Sequence, residues 1–218
     1  MGRSAVIGIM AYLAVQGAGA AVTLFQTETF SDFGGWSGGN PNPNPPSILP
    51  DSGPMGGGDF ALRVAANGGS GPGGKLIIFN RTEWTGNFVS AGIAAIAADL
   101  RNSGTTPLSM RLAFNGPGGW FATERFILTA FSGWTQAEFG IQPGVLVSAG
   151  GSDAAGTMAN VGEMRILHSA VAAFQGAQVS SGFLLDNIRA VPEPSSAMMV
   201  CLLSLNLLFR NRGKCRFC

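Results

Sequence analysis

The sequence predicts an all-β protein whose body is an antiparallel β-sandwich of the jelly-roll type. Short segments of alternating apolar and polar residues recur through the middle of the chain, as in strands that bury one face of a sheet. Stretches rich in Gly, Pro and Asn separate these segments and predict turns, and the 218 residues include 33 Gly and 12 Pro. A body of this size is sufficient for one well-buried core.

The predicted strands follow one another in chain order. The first lies in the region Val22–Phe33, and segment 34–58, which lacks periodicity, predicts a long surface loop. The later strands are expected at Phe60–Val64, Leu76–Phe79, Ile96–Leu100, Leu108–Phe114, Trp120–Thr123, Phe126–Leu128, Ala137–Ile141, Met164–Ile166 and Phe183–Val191. Ala91–Ala98 and Val145–Ala159 are also compatible with helix because Ala favours it, and at most short helices are expected there.

The first twenty residues have the pattern of a secretory signal peptide, which predicts an N-terminal signal helix. Arg3 supplies a positive charge, Ala5–Val15 is an apolar stretch too short to span a membrane, and Ala18-Gly19-Ala20 provides small residues at a cleavage site. The mature chain is therefore expected to begin near Ala21.

The end of the chain combines three features in a fixed order. Val191-Pro192-Glu193-Pro194 predicts an extended hinge, because proline restricts both its own backbone and the residue before it. The apolar run Ala197–Phe209 follows and predicts a hydrophobic helix, and Arg210, Arg212 and Lys214 then form a basic end that stays cytoplasmic by the positive-inside rule. The alternative is a buried C-terminal helix of a globular domain.

This tail resembles the PEP-CTERM sorting signal of bacterial envelope proteins. The resemblance implies an exosortase-like partner enzyme, cleavage near Pro-Glu-Pro, and a precursor held in the inner membrane of a Gram-negative bacterium before it reaches the cell surface or extracellular matrix. It divides the sequence into a signal peptide at 1–20, a sandwich at 21–190 and a sorting and anchor signal at 191–218.

Charge and cysteine content restrict the classes of partner. Residues 21–192 contain eight Lys or Arg and eleven Asp or Glu, so the body carries a net charge of −3. This argues against nucleic acid, which requires a clustered basic face. All three cysteines lie in the tail, so the body has no disulfide.

One motif resembles a catalytic sequence but lacks the required context, and three further residues are weighed as candidates for catalysis. Gly35-Trp36-Ser37-Gly38-Gly39 matches a nucleophile elbow, yet the prolines that follow forbid the helix which that motif needs. His168 is the only histidine, and its spacing from Met164 and Ile166 favours a core or edge position. A glycosidase would need two carboxylates across a cleft, and Glu124 and Glu138 are candidates only by default, since no sequence pattern marks them.

Carboxylates near both ends of the body suggest a structural calcium ion. Glu28 and Asp32 belong to the first strand region and Asp186 to the last strand, where it shares a face with Leu184 and Ile188. Calcium binds carboxylate and carbonyl oxygens. The alternative is that Asp186 accepts backbone N–H bonds at the end of the sandwich.

Four tryptophans lie in or beside turns and are candidates for stacking on sugar rings: Trp36, Trp84, Trp120 and Trp134. The alternative for each is burial in the core, where the indole removes a large area from water. Trp120 and Trp36 are expected to be the more exposed.

The body also resembles carbohydrate-binding-module-like jelly rolls, through Phe30 and Trp36 near its start, Leu108–Phe114, Trp134 before a strand, and Leu185-Asp186-Asn187-Ile188. The resemblance implies a sandwich that holds structural calcium and binds glycans, and it identifies no sugar-binding residue. The first hypothesis is therefore a non-catalytic exported envelope or matrix protein associated with exopolysaccharide. The alternatives are a glycan-active enzyme of sandwich fold and a structural surface protein without a ligand.

Overall fold

Two antiparallel sheets packed face to face form the part of the chain that the computed structural model describes, residues 21–193. The predicted all-β sandwich is thus confirmed for this part. The predicted signal peptide, Pro194, the apolar run Ala197–Phe209 and the basic residues Arg210, Arg212 and Lys214 lie outside the described residues. Within residues 21–193 we find no helix of the length and apolar character that a membrane crossing requires.

The first sheet has six strands. Its order is β10-β6-β13-β4-β3, with β1 beside β13, and its strands are β1 (Thr27–Glu28), β3 (Ser47–Leu49), β4 (Ala61–Asn67), β6 (Ile93–Arg101), β10 (Thr135–Gly140) and β13 (Ser180–Pro192).

The second sheet has seven strands. Its order is β11-β8-β7-β12-β5-β2, with β9 beside β7, and its strands are β2 (Trp36–Ser37), β5 (Ile77–Asn80), β7 (Leu108–Gly116), β8 (Gly119–Ala122), β9 (Phe126–Leu128), β11 (Val147–Ser148) and β12 (Glu163–His168). A short helix, α1 (Ala154–Ala159), and a 3₁₀ turn at Pro143–Val145 interrupt the strands, which agrees with the expectation of short helices only. Asp153 caps α1 by accepting a hydrogen bond from the Gly156 N–H at 2.9 Å.

The core lies between the sheets and follows the alternation of the sequence. On β7, Leu108, Met110, Leu112 and Phe114 all point inward and are buried. Phe114 meets Phe88 edge to face, with ring centroids 5.6 Å apart. Period-2 patterning therefore predicted the inward face of this strand correctly.

The N-terminal region departs from prediction. Val22–Phe33 contributes only the two-residue strand β1, because Phe25 and Phe30 adopt φ values of 64° and 55°, which interrupt extended backbone. The predicted loop 34–58 is not uniformly irregular either, since it contributes the edge strands β2 and β3 to the two sheets. The alanine-rich stretch at 91–98 joins strand β6 rather than forming a helix.

Strand β13 contains an irregularity that changes which residues face the core. Its pairing with β6 shifts between Asp186 and Arg189, and Asn187 has a φ of 49°. Ile188 joins the core, whereas Leu184 and Asp186 lie on the outer face, opposite in parity to the core residues Phe183 and Leu185. The expectation that Asp186 and Ile188 share a face is therefore wrong.

The same strand continues further than predicted. Val191 pairs with Ala95 and Pro192 with Ile93, so the sandwich reaches into the Val-Pro-Glu-Pro motif instead of ending at residue 190. Pro192 is the last residue of the strand, a position where its missing N–H interrupts no further ladder.

Candidate functional site

A group of aromatic and charged side chains lies on the outer face of the seven-stranded sheet. We call it the aromatic–arginine patch and define it as Phe79, Arg81, Trp120, Glu163, Arg165 and Phe174. Its members come from β5, β8, β12 and the loops that follow β5 and β12.

Strand alternation places these side chains outside. On β12, Met164 and Ile166 point into the core, so Glu163 and Arg165 point away from it. Antiparallel pairing sets Arg165 opposite Phe79 on β5, and Asn115 on β7 pairs with both Glu163 and Trp120. Residues far apart in sequence therefore converge at one place on the sheet.

Trp120 is held by two neighbours. Its ring stacks on Phe174 with centroids 5.2 Å apart and an angle of 21° between the planes, and the Arg165 guanidinium carbon lies 4.2 Å from the Trp120 ring. Arg165 is also 6.0 Å from the Phe174 ring, so the two neighbours do not lie on opposite faces of the indole. The half-buried indole is thus oriented without being enclosed between them.

Glu163 connects the charges of the patch. Its two carboxylate oxygens accept hydrogen bonds from Arg81 Nε at 2.7 Å and from Arg165 Nε at 2.5 Å. The Glu163 side chain is only 8 % exposed and Arg165 is also largely buried, whereas the Arg81 side chain is 58 % exposed. The carboxylate therefore fixes Arg165 in the sheet and leaves Arg81 at the surface, where its guanidinium lies 4.5 Å from the Phe79 ring.

The chain between β12 and β13, residues 169–179, folds back over this face. Arg111 on β7 is buried, and its guanidinium donates to the carbonyls of Ser169, Thr123 and Ala170 at 3.1, 2.5 and 3.2 Å. Burial lowers the pKa of Arg111, with a smaller opposing effect from Glu124. Arg165 fastens the middle of the segment by donating to the Phe174 carbonyl at 2.6 Å.

Close packing completes the attachment of segment 169–179. Ala172 covers a small outer cluster of buried apolar residues, Ala113, Ala122 and Leu167. Further on, a Cβ at Gly176 would lie 2.5 Å from the Leu76 carbonyl oxygen, so only glycine allows this approach to β5. The segment therefore forms a fixed wall beside the patch.

A groove of about 210 Å³ runs between β5 and this wall. It is lined by Lys75, Ile77, Phe79, Arg165, Gln175 and Gly176. Lys75 Nζ donates to Gln175 Oε1 at 2.5 Å across the groove. The combination of an apolar ring surface with several hydrogen-bond donors is suited to a sugar, which presents C–H faces and hydroxyls together.

The four tryptophans predicted to stack on sugar rings have different environments. Trp36 and Trp84 are 4 % and 0 % exposed and belong to the core, so their predicted role as sugar-stacking residues is wrong. Their large apolar area is more favourably placed between the sheets than in contact with water. Trp134 is half-buried beside β10, in the other sheet, and only Trp120 lies in the patch.

Sequence patterns did not point to Phe79, Arg81, Arg165 or Phe174. Arg165 alternates with Met164 and Ile166 and so was recognisable as outward-facing, whereas Phe79 ends a wholly apolar run, and nothing in the sequence pairs the two strands. Phe174 lies in a segment without periodicity, and its stacking on Trp120 depends on how that segment folds back.

The predicted calcium triad is not assembled. Glu28 Oε1 accepts the Phe30 N–H at 3.3 Å and Asp32 Oδ1 accepts the Gly34 N–H at 2.8 Å, so both carboxylates serve local turns. Across residues 21–193, no three acidic, histidine or cysteine side chains converge to hold a metal ion. The residues present therefore do not fit the predicted three-carboxylate site.

Asp186 is nevertheless unusual. It is 0 % exposed, and neither of its carboxylate oxygens has a hydrogen-bond partner among the described residues. Burial, helped by the negative charges of Asp59, Asp99 and Glu28 and opposed by the nearby Asn187 N–H, raises the pKa of Asp186 to about 6. The alternative of several backbone N–H bonds to this carboxylate is not what the structure shows.

The remaining candidates for catalysis do not form one site. His168 Nδ1 accepts the Ser109 N–H at 2.9 Å and burial lowers the pKa of His168, whereas Ser37 Oγ accepts the Gly39 N–H at 3.2 Å. Each is thus engaged locally. Glu124 and Glu138, by contrast, line one pocket of about 250 Å³ together with Arg125 and Phe126, and both carboxylates are exposed to solvent.

The described part of the sorting motif lies at the surface. Val191 and Pro192 are half-buried and Glu193 is exposed, with its Oε1 accepting Gln142 Nε2 at 3.0 Å. The motif therefore emerges directly from the end of the sandwich.

Comparison with known proteins shows the fold. No family model matches the chain, and no curated protein matches it. A structure of an exo-β-agarase is 14 % identical over 77 % of this chain with a TM-score of 0.54, and the chain spans about a quarter (25 %) of the length of that protein. The family 11 carbohydrate-binding module of cellulase Lic26A-Cel5E of Clostridium thermocellum is 15 % identical, with a TM-score of 0.47 over 78 % of this chain and 96 % of that one.

A third neighbour is the CBM22-1–GH10 region of xylanase 10B from Clostridium thermocellum, complexed with xylohexaose. It is 11 % identical, with a TM-score of 0.49 over 77 % of this chain and 28 % of that one. At these identities the likeness to the exo-β-agarase concerns the β-sandwich fold alone.

Proposed function

We propose that this chain is an exported, non-catalytic envelope or matrix protein that binds polysaccharide through the aromatic–arginine patch. The observation that carries the proposal is the half-buried Trp120, oriented by Phe174 and Arg165 beside a groove lined with hydrogen-bond donors. An oriented indole can stack on a sugar ring at little cost in conformational entropy.

The structures to which this chain is similar are compatible with the proposal, but the proposal does not rest on them. They include carbohydrate-binding modules and proteins named for agar and xylan degradation, but their likeness to this chain extends to the fold only. Two finer predictions from the sequence are part of this proposal: that the sandwich is a jelly roll, and that the protein associates with exopolysaccharide.

Affinity electrophoresis of the full chain in gels containing single polysaccharides tests glycan binding. Trp120→Ala is expected to lower the affinity for the polysaccharide, obtained from the retardation, about 10-fold, equivalent to about 1.4 kcal/mol. Phe79→Ala is a second variant in the same patch. Phe131→Ala is the matched control, since Phe131 is an exposed aromatic outside the patch.

Thermal melting of each variant separates loss of binding from loss of fold. Absence of retardation by any glycan, in a chain that melts normally, would leave a ligand-free structural surface protein as the better account. Equal weakening by Phe131→Ala would argue against a localised site.

The sorting proposal rests on the order of the hinge, apolar run and basic end in the sequence. An exosortase-like enzyme is expected to cleave at or after Glu193, because β13 is paired with β6 through Pro192. Mass spectrometry of protein released from a host with and without such an enzyme tests this. Release of a product ending before Val191, or release that does not need the enzyme, would contradict it.

A glycan-active enzyme is the second candidate, favoured by one observation: Glu124 and Glu138 line the same pocket. Glycosidases use two carboxylates across a cleft. Release of reducing sugar that is lost in both Glu124→Gln and Glu138→Gln would establish it. Release that survives both substitutions would exclude this pair.

A further inference from the structure

We propose that the groove beside the aromatic–arginine patch selects acidic polysaccharides, with Arg81 and Lys75 binding the carboxylate or sulfate groups of the polymer. This inference rests on the proposed glycan binding and specifies its ligand class.

Charge is distributed unevenly over the body. Residues 21–192 carry a net charge of −3, yet three of their eight basic side chains, Lys75, Arg81 and Arg165, lie in the patch or in the groove beside it. Glu163 pairs with Arg81 and Arg165 but not with Lys75, and the four side chains together carry a net charge of +2. An anionic polymer would therefore be attracted to this face in particular.

The three basic side chains of the patch and the adjoining groove differ in how their hydrogen-bond donors are used. Arg165 is used internally, by Glu163 and by the Phe174 carbonyl. Arg81 bonds Glu163 through Nε, and within residues 21–193 its two terminal nitrogens make no hydrogen bond. Lys75 bonds the uncharged Gln175 and no carboxylate in that range. Arg81 and Lys75 are thus the two cations that remain available to a ligand.

Their positions suit a charged sugar better than a neutral one. Arg81 lies 4.5 Å from the Phe79 ring, so a sugar in contact with this aromatic surface has a guanidinium beside it. A guanidinium binds carboxylate or sulfate oxygens through charge-assisted hydrogen bonds that are about twice as strong as neutral ones. A neutral polysaccharide would leave the Lys75 ammonium and the terminal nitrogens of Arg81 without an anionic partner.

Titration of the full chain with four polymers tests the inference: polygalacturonate, a sulfated galactan, a neutral galactan and a mixed-linked β-glucan. At low salt, either acidic polymer is expected to bind at least about 10-fold more tightly than the neutral ones, and this preference should decrease as NaCl screens the charges. The uronate and sulfate polymers distinguish the two sources of negative charge.

Two substitutions and one control localise the effect. Arg81→Gln and Lys75→Gln are each expected to weaken binding of the acidic polymer about 5- to 10-fold, which is the net contribution of one typical hydrogen bond. Arg101→Gln is the control, because Arg101 is an exposed arginine on the six-stranded sheet. Lys75→Gln leaves the Glu163 ion pairs intact, so it remains informative if Arg81→Gln alters stability.

Three outcomes would overturn the inference. Neutral polymers could bind as tightly as acidic ones while still depending on Trp120, in which case glycan binding stands and the selectivity fails. Acidic binding could be unaffected by both substitutions. Inorganic polyphosphate could compete fully while Trp120→Ala has no effect, which would reveal charge attraction without sugar recognition. No binding to any polymer would instead remove the proposed function itself.

Discussion

At the scale of single residues, the Asp186 carboxyl group is the part of the fold that pH is expected to affect most. It lies fully buried on the outer side of β13, opposite Asp99 on β6, and its oxygens lack partners among the described residues. The charged form is therefore disfavoured in the folded protein relative to the unfolded chain.

The sign of the pH effect follows from the raised pKa of Asp186. The folded state holds this proton up to about pH 6, whereas the unfolded chain loses it near 3.8. Stability contributed by the protonated group is present below pH 3.8 and is lost as pH rises through about 6.

The parent chain is therefore expected to lose stability between pH 4 and pH 7, and Asp186→Asn is not. The advantage of Asp186→Asn in unfolding free energy should grow across this range and reach about 2–3 kcal/mol at pH 7. Urea unfolding across this range in the presence of EDTA measures the gain. Glu138→Gln, which alters an exposed carboxylate on the same sheet, should show no comparable trend. Parallel pH curves for the parent and Asp186→Asn would mean that the carboxylate is hydrated or paired.

A second prediction for single residues concerns Glu163 and its ion pairs with Arg81 and Arg165. Glu163→Gln removes the charge that compensates the largely buried Arg165, so we expect a loss of about 2–4 kcal/mol. Arg81→Gln removes the exposed partner and should cost less than about 1 kcal/mol. Chemical denaturation of both variants and of the double variant gives the coupling. Equal losses from the two single substitutions would show that Glu163 is not the centre of the network.

At the scale of elements, segment 169–179 is the part that turns a flat sheet face into a groove. Arg111 and Arg165 bind its carbonyls, and Gly176 lets it approach β5 closely. Without these contacts the segment would be an ordinary loop of high conformational entropy.

Arg111→Met is expected to loosen the start of this segment, because the carbonyls of Ser169, Thr123 and Ala170 lose their donor and each buried carbonyl left unpaired costs about 1–3 kcal/mol. Hydrogen exchange followed by mass spectrometry should show faster exchange in peptides covering 169–179. Arg125→Met, at an exposed arginine, is the control. Unchanged exchange in the Arg111 variant would show that apolar packing alone holds the segment.

At the scale of the whole molecule, one apolar cluster includes residues of both sheets. The described part should therefore unfold as a single cooperative unit. Phe114→Ala, which removes a fully buried ring facing Phe88, is expected to lower the unfolding free energy by about 3–5 kcal/mol. Circular dichroism and the fluorescence of the buried Trp36 and Trp84 should give the same midpoint, and two separate transitions would show that the sheets unfold independently.

The sequence by itself determined the class of the fold and the inward faces of its regular strands. Alternation along β7, β12 and β4 is local, and burial of one sheet face follows from it directly. It also marked the breaks between strands, because Gly, Pro and Asn limit backbone geometry within a few residues.

The tertiary structure decided what local patterns could not encode. Strand register brought Phe79, Trp120 and Arg165 together, and the fold of segment 169–179 added Phe174, although almost a hundred residues separate Phe79 from Phe174. The irregularity at Asn187 placed Asp186 and Ile188 on opposite faces of the sheet, and the space between the sheets buried Trp36 and Trp84. These outcomes depend on contacts between distant segments, and such contacts exist only once the two sheets have packed.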